Sequence, residues 1–437
     1  MRCAEVLVLV VAALLLLAGC GGGGNSVETR CVGNCSGLTP GQAGPEVVVS
    51  EPSGDNTVEV RVDRGPDTGF ALGVTNLPYV SVRVCAPGSS TACTTVDHVF
   101  LDTGSIGFRV LKSAVASIGL PLTTKDGGTV AECYPFVIGA VWGPLARADV
   151  ALGGELAANI PVQLIDDGSP AQPAAPADCT TAANGELLSS ATRLQAKGVL
   201  GVGMLRYDCG LACEAGSYAG AVTLYQRCDS AGCTALAVPA EEQLANPVAH
   251  FAVNNNGTLI VLPAVPDNGA SLARGRLVFG IGTQTNNQPP AAGTLLRVQT
   301  DPTTPDYLYV ASTIAGRRYA NSYFDSGSNG LFFEDAVLPT RCVGSGAGSS
   351  WYCPASTQAR SALLSDPYGN SATVPFSIVS ADLLFAAPNV AYATLGGRAG
   401  ASDPDTFVWG LPFFYGRTVY TSIWGQSLAT NGPWVAF

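Results

Sequence analysis

The sequence predicts a mainly β protein built from two related halves, and three observations carry that expectation. The chain of 437 residues holds 52 Gly and 29 Pro but is only 13% charged, a composition that favours turns and short strands over exposed helices. Short β-branched or aromatic runs, mostly alternating apolar with polar residues, recur along its length. A pattern at residues 99–108 (VFLDTGSIGF) returns at residues 322–331 (SYFDSGSNGL). Each copy is an apolar strand followed by Asp, a small hydroxyl residue, Gly and Ser, then a second Gly and an apolar residue, so two related units are expected.

Apolar residues make up 47% of the chain, enough to pack a large core and too many for a disordered one. The formal net charge is −11 and there is no basic run, which excludes binding to nucleic acid through its phosphates. In chain order, Arg2 precedes an apolar stretch over residues 6–17 that is too short for a permanent membrane span. Leu17-Ala18-Gly19-Cys20 follows and resembles the lipobox of bacterial lipoproteins. That resemblance implies a signal peptide over residues 1–19, a lipid on the thiol of Cys20 and, with no Asp after Cys20, anchoring in the outer membrane. Gly21 to Gly24 begin a flexible tether, with linker expected over residues 20–50.

Strands are expected at residues 58–62, 79–84, 95–101, 148–152, 258–262, 276–279 and 308–310. Short helices are expected at 187–194 and 241–245. The Pro, Asp, Asn and Gly of residues 266–273 form a loop, which puts a lobe boundary between 265 and 290. The lobes are then 51–280 and 281–437. Of 14 cysteines, setting aside Cys3 and Cys20 leaves an even 12 for an oxidising compartment. Cys85 with Cys93 and Cys342 with Cys353 are natural local pairs. Cys209, Cys213, Cys228 and Cys233 are expected to pair among themselves in an open order. A zinc site is the competing assignment for these four, but their spacing lacks His support.

The repeated motif carries chemistry. Hydrolysis of a peptide bond without metal or covalent intermediate needs a base to activate water and an acid to protonate the amide. Two adjacent carboxylates supply both, because like charges at that range hold one proton between them. Asp102 and Asp325 are the candidate pair, titrating as a unit with a bell-shaped, acid-shifted rate profile. Gly104 and Gly327 allow close approach of the two backbones. The hydroxyls of Thr103 and Ser326 are placed to bond across the junction, and those of Ser105 and Ser328 to hold the outer carboxylate oxygens. A third triplet, Asp67-Thr68-Gly69, follows Gly65-Pro66 rather than an apolar strand and reads as a turn.

Taken in order, these segments resemble the pepsin-like aspartic proteases over roughly residues 55–437. Asp102-Thr-Gly-Ser and Asp325-Ser-Gly-Ser match the two active-site motifs. Residues 197–203 (KGVLGVG) and 407–411 (FVWGL) match the apolar-apolar-Gly segments beside them. Residues 149–154, 275–282 and 413–420 are similar to the strand returning from the flap, the strand opening the second half and the terminal strand pair. The chain also resembles a group of uncharacterised bacterial lipoproteins. The resemblance implies a two-lobed fold with an active-site cleft, a peptide or protein substrate, and no cofactor or metal. It also implies a flap hairpin with an aromatic residue, for which Tyr134, Phe136 and Trp142 are the candidates. The chain departs from the family at Arg109, where Trp is usual, at Leu411, where Asp is usual, and at Ser326, where Thr is commoner.

Only two His are present, His98 and His250, so a Ser-His-Asp enzyme has little support. The alternation of the strand puts His98 on the face of Asp102, where a structural role is expected. Asp166 and Asp167 read as a solvated turn. The expected function is that of an envelope-anchored, monomeric aspartic endopeptidase. The alternative is a catalytically silent binding or assembly module of the same fold.

Overall fold

The computed structural model describes Val27 and residues 30–32, 42–69, 73–168, 173–182, 186–214, 223–289, 295–300, 308–340, 342, 350–400, 403–426 and 432–437. The expected signal peptide, Cys20 and the glycine tether lie outside them. The protein is mainly β: among the described residues the strands form one sheet of 18 and a second of 8. Helices are short, the longest being the 3-10 segment Lys112–Ile118. No helix among the described residues is long and apolar enough to cross a membrane.

The seven expected strands all form. Most run longer than expected because one buried face continues past the alternating core of each segment. Cys93–Asp102 pairs antiparallel with Pro78–Cys85, and both bury Val80, Val82, Val84, Val96, Val99 and Leu101. Lining one face with β-branched side chains is what a pleated, half-buried surface favours. The helical expectations hold only in part. Within 187–194 only Ala191–Leu194 is helical, capped by the Ser190 side chain, and within 241–245 only the turn Ala240–Glu242 forms.

The expected linker over residues 20–50 is structured toward its end, which corrects the sequence reading. Glu46–Val48 pairs parallel with Leu272–Phe279 and antiparallel with Arg30–Val32. Val47 and Val49 bury themselves in the sheet, and that apolar burial favours a paired strand over a free linker.

The repeated motif sits in a repeated topology. In the large sheet, Cys93–Asp102 runs parallel to Gly198–Val202, with Asp102 opposite Gly201, and Ile106–Leu111 returns antiparallel to that same strand. In the second sheet, Arg317–Phe324 runs parallel to Thr406–Trp409, and Leu331–Phe333 returns antiparallel to it. Each aspartate therefore lies at the end of one strand, at a turn flanked by a parallel neighbour. The large sheet draws on both sides of residue 280. Thr418–Ser422 pairs with Gly257–Val261, and Trp434–Ala436 pairs with Leu295–Arg297.

Five disulfides join described cysteines: Cys85–Cys93, Cys133–Cys179, Cys209–Cys213, Cys228–Cys233 and Cys342–Cys353. The crowded group of four resolves into two bridges between near neighbours. This density of bridges marks a protein that matures outside the reducing cytoplasm.

Candidate active site

The two motifs, distant in sequence, meet at the junction of the two sheets. Within each, the turn after the aspartate folds the backbone amide of the second following residue onto the carboxylate. Gly104 N donates to Asp102 Oδ1 at 2.8 Å and Gly327 N to Asp325 Oδ1 at 2.7 Å. The hydroxyl one residue further on takes the other oxygen: Ser105 Oγ donates to Asp102 Oδ2, and Ser328 Oγ to Asp325 Oδ2 at 2.6 Å. The two halves thus hold their carboxylates with the same set of donors.

Across the junction the halves interlock. Thr103 N donates to Ser326 Oγ at 3.0 Å while Ser326 N donates to Thr103 Oγ1 at 2.9 Å. Each hydroxyl in turn donates a hydrogen bond to a carbonyl of the opposite strand, Ser326 Oγ to Leu101 O at 2.9 Å and Thr103 Oγ1 to Phe324 O at 3.3 Å. Thr103 and Ser326 are both buried. A closed ring of bonds among buried groups fixes the separation of the strands that bear the aspartates.

The glycines are required by proximity. A Cβ on Gly104 would stand 2.7 Å from Asp325 Oδ1, and one on Gly327 would stand 2.5 Å from Asp102 Oδ1. Any larger residue at either position would push one motif into the carboxylate of the other. Asp102 is buried, whereas Asp325 is half-buried and Gly104 exposed, so the pair is reached from one side.

Electrostatics follow from this geometry. Burial raises the pKa of Asp102, and the charge of Asp325 with the hydrogen bond between the two carboxyls raises it further; the Ser105 hydroxyl and Gly104 amide pull the other way, leaving it at about 8. A carboxyl held protonated beside a second carboxylate would offer an acid and a base at one point. Beside it lies a cavity of about 310 Å³, lined by Thr103, Gly104, Ile106, Met204, Tyr309 and Tyr323 among others.

The three aromatic candidates belong to one hairpin, Gly128–Phe136 paired with Gly139–Leu152. Tyr134 and Phe136 share a face, their rings 5.1 Å apart. Trp142 lies opposite Cys133 in the register, on the other face of the ribbon. It is buried there, and its Nε1 donates to Pro173 O at 2.7 Å. Trp142 is therefore packed into the fold apart from the other two. Val137 and Ile138 at the tip are 97% and 71% exposed.

Asp67 of the third triplet is exposed, and its Oδ1 accepts from Gly69 N at 3.0 Å, a local turn. His98 lies in a bulge where Asp97 and His98 stand against Ser81 alone, in the left-handed region at φ 49°. A bulge breaks the strand alternation, so the shared-face argument does not apply. The ring lies between Asp97 Oδ2, at 2.6 Å, and Asp63 Oδ1, at 3.4 Å. Asp166 is buried rather than solvated, its Oδ1 accepting from Gly168 N at 3.0 Å.

Sequence reasoning missed a second buried ionic group. Arg109, in the strand leaving Asp102, is fully buried with Glu132 of the hairpin and Asp208. The available signal was a lone arginine inside an otherwise apolar strand, which cannot be buried without an acidic partner.

A search among curated proteins finds no match to the chain. The model of a family described as "Protein of unknown function (DUF3443)" matches residues 52–437. The match takes in both aspartate motifs, the hairpin and the terminal strands, and the chain belongs to that family.

Proposed function

We propose that the protein is an aspartic endopeptidase of two-lobed, pepsin-like architecture, exported and held at the cell envelope by a lipid on Cys20. The observation that carries this reading is the reciprocal seating of Asp102 and Asp325. Each is held by an amide and a hydroxyl of its own motif, and each faces the glycine of the other. A purely structural junction has no use for a partly buried like-charge pair, which costs stability by desolvation and repulsion.

In this mechanism the charged carboxylate takes a proton from water as its oxygen attacks the scissile carbonyl carbon. The protonated carboxyl gives its proton to the carbonyl oxygen, forming a tetrahedral diol. As the C–N bond breaks, a proton passes to the departing nitrogen and the diol yields a carboxylic acid, the two aspartates having exchanged roles. The peptide would lie extended beside the 310 Å³ cavity, paired by its backbone with a strand edge. Neither metal nor cofactor has a part in these steps.

The test is proteolysis of casein by the purified protein across pH 3 to 8, with and without pepstatin, alongside Asp102→Asn and Asp325→Asn. The expected result is pepstatin-sensitive turnover that either substitution abolishes while the fold is retained. Wild-type turnover in either variant would overturn the assignment. Absence of turnover together with no stabilisation by pepstatin would favour a binding module on this fold.

A further inference from the structure

Arg109 is fully buried, as are Glu132 and Asp208. Its guanidinium meets Glu132 in a two-point contact, Nη2 to Oε1 at 2.7 Å and Nε to Oε2 at 3.2 Å. A second bond from Nη2 reaches Asp208 Oδ2 at 3.2 Å, and Nη1 donates to Ile106 O at 2.7 Å. The Tyr134 ring lies under the guanidinium, its centroid 3.7 Å from Cζ. Tyr225 OH donates to Asp208 at 2.8 Å and accepts from Leu244 N at 2.8 Å. Gln163 Nε2 donates to Glu132 O at 2.7 Å.

Three segments meet in this cluster. Arg109 belongs to Ile106–Leu111, the strand that begins just after the Asp102 motif. Glu132 and Tyr134 belong to the first strand of the hairpin. Asp208 follows Gly198–Val202, the strand beside Asp102. Buried ion pairs contribute little net stability compared with apolar packing, but a planar two-point contact tolerates little change in geometry. The cluster holds the hairpin by its root, while Val137 and Ile138 at the tip stand free in solvent.

We propose that Arg109, Glu132 and Asp208 form a clamp that positions the 128–152 hairpin against the strand leaving Asp102, and that through the hairpin it governs peptide binding rather than the proton transfers of the dyad. The inference rests on the peptidase reading for its kinetic consequence. Its structural consequence stands apart from that reading. Arg109, Glu132 and Asp208 are positioning residues acting through Tyr134 and the hairpin backbone.

The test compares wild type with two variants of the full chain. Removing one partner alone leaves buried polar groups unpaired and threatens folding, so the principal variant removes all three ionisable groups together: Arg109→Met, Glu132→Gln, Asp208→Asn. The second, Tyr134→Phe, keeps the ring under the guanidinium. Hydrogen exchange of hairpin amides 133–141 and steady-state kinetics on an extended peptide are measured on each. In the triple variant, hairpin exchange is expected to quicken roughly tenfold or more, as an anchor worth a stacked cation and a charge-assisted pair implies. Its KM is expected to rise by about the same factor, with kcat within roughly threefold of wild type, because the lost interaction is one of binding. Tyr134→Phe keeps the ring under the guanidinium, so its hairpin exchange is expected to stay closer to wild type than that of the triple variant. A folded triple variant with wild-type hairpin exchange overturns the clamp, as does one whose loss falls on kcat alone. If the wild type does not cleave peptides, the peptidase reading fails by itself and hairpin exchange still decides whether the clamp exists.

Discussion

Thr103 and Ser326 exchange two hydrogen bonds, each giving its backbone N–H to the hydroxyl oxygen of the other, at 3.0 and 2.9 Å. Ser326 also donates to Leu101 O, so Ser326→Ala would leave both Thr103 N–H and Leu101 C=O without a partner. Two unsatisfied backbone groups, with Thr103 and Ser326 both buried, cost about 2–4 kcal/mol together. Urea unfolding should show that loss, and kcat should fall further than KM rises because the carboxylates drift apart. Ser326→Thr keeps the hydroxyl and should restore both. A Ser326→Ala protein as stable as wild type would mean that the ring of bonds does not hold the halves together.

Asp102 sets a stability cost that depends on pH. Its folded pKa, raised by burial and by Asp325 to about 8, exceeds the unfolded value of roughly 3.9. Between those values the folded state binds the extra proton. The contribution of Asp102 to stability is therefore fully present below about pH 4 and lost as pH rises through about 8. Asp102→Asn has no proton to lose. The difference in unfolding free energy, variant minus wild type, should grow from pH 4 to pH 8 by on the order of a few kcal/mol. Any offset independent of pH, such as an altered bond to Ser105, drops out of that comparison. Parallel stability curves for the two proteins would contradict the assignment.

The same coupling sets the rate profile. On the proposed peptidase reading, catalysis by the pair requires one shared proton, and the direction of the Asp102 shift keeps that proton bound through neutrality. On a peptide without titrating groups, kcat/KM should hold through pH 7 and decline as pH passes about 8. A rate still climbing at pH 9 would show that some other group supplies the proton.

Much of this was legible in the sequence, for identifiable reasons. The meeting of Asp102 and Asp325 could be read because their motif is local and repeated: Asp, hydroxyl residue, Gly and Ser within four positions each have a partner that geometry dictates. The valine-rich strands were legible because period-two burial leaves a period-two pattern. Three features escaped. The bulge at Asp97 and His98 is a shift of register against the neighbouring strand, and no residue pattern marks it. The strand at Glu46–Val48 is short and follows a Gly-rich stretch, so composition argued for a linker. The Arg109 cluster joins residues 23 and 99 positions apart in sequence, for Glu132 and Asp208 respectively, a distance at which only the lone charge in an apolar strand gave notice.

The bridge from Cys133 to Cys179 fastens the first strand of the hairpin to the helix Ala177–Ala182 across 46 residues, whereas Cys85–Cys93 spans only 8. If bridges act by restricting the unfolded chain, the longer closure contributes about 4 kcal/mol and the shorter about 2.5 kcal/mol. Cys133 is fully buried and shares its face with Trp142, so replacing both cysteines by Val keeps that face apolar. The Cys133→Val, Cys179→Val protein should then lose about 1–2 kcal/mol more than Cys85→Val, Cys93→Val, as read from urea midpoints at constant slope. Hydrogen exchange should further separate them, with the hairpin amides exposed only in the first variant. Equal losses from the two pairs would place the stabilising effect of these bridges in the folded state and not in the closure of the chain.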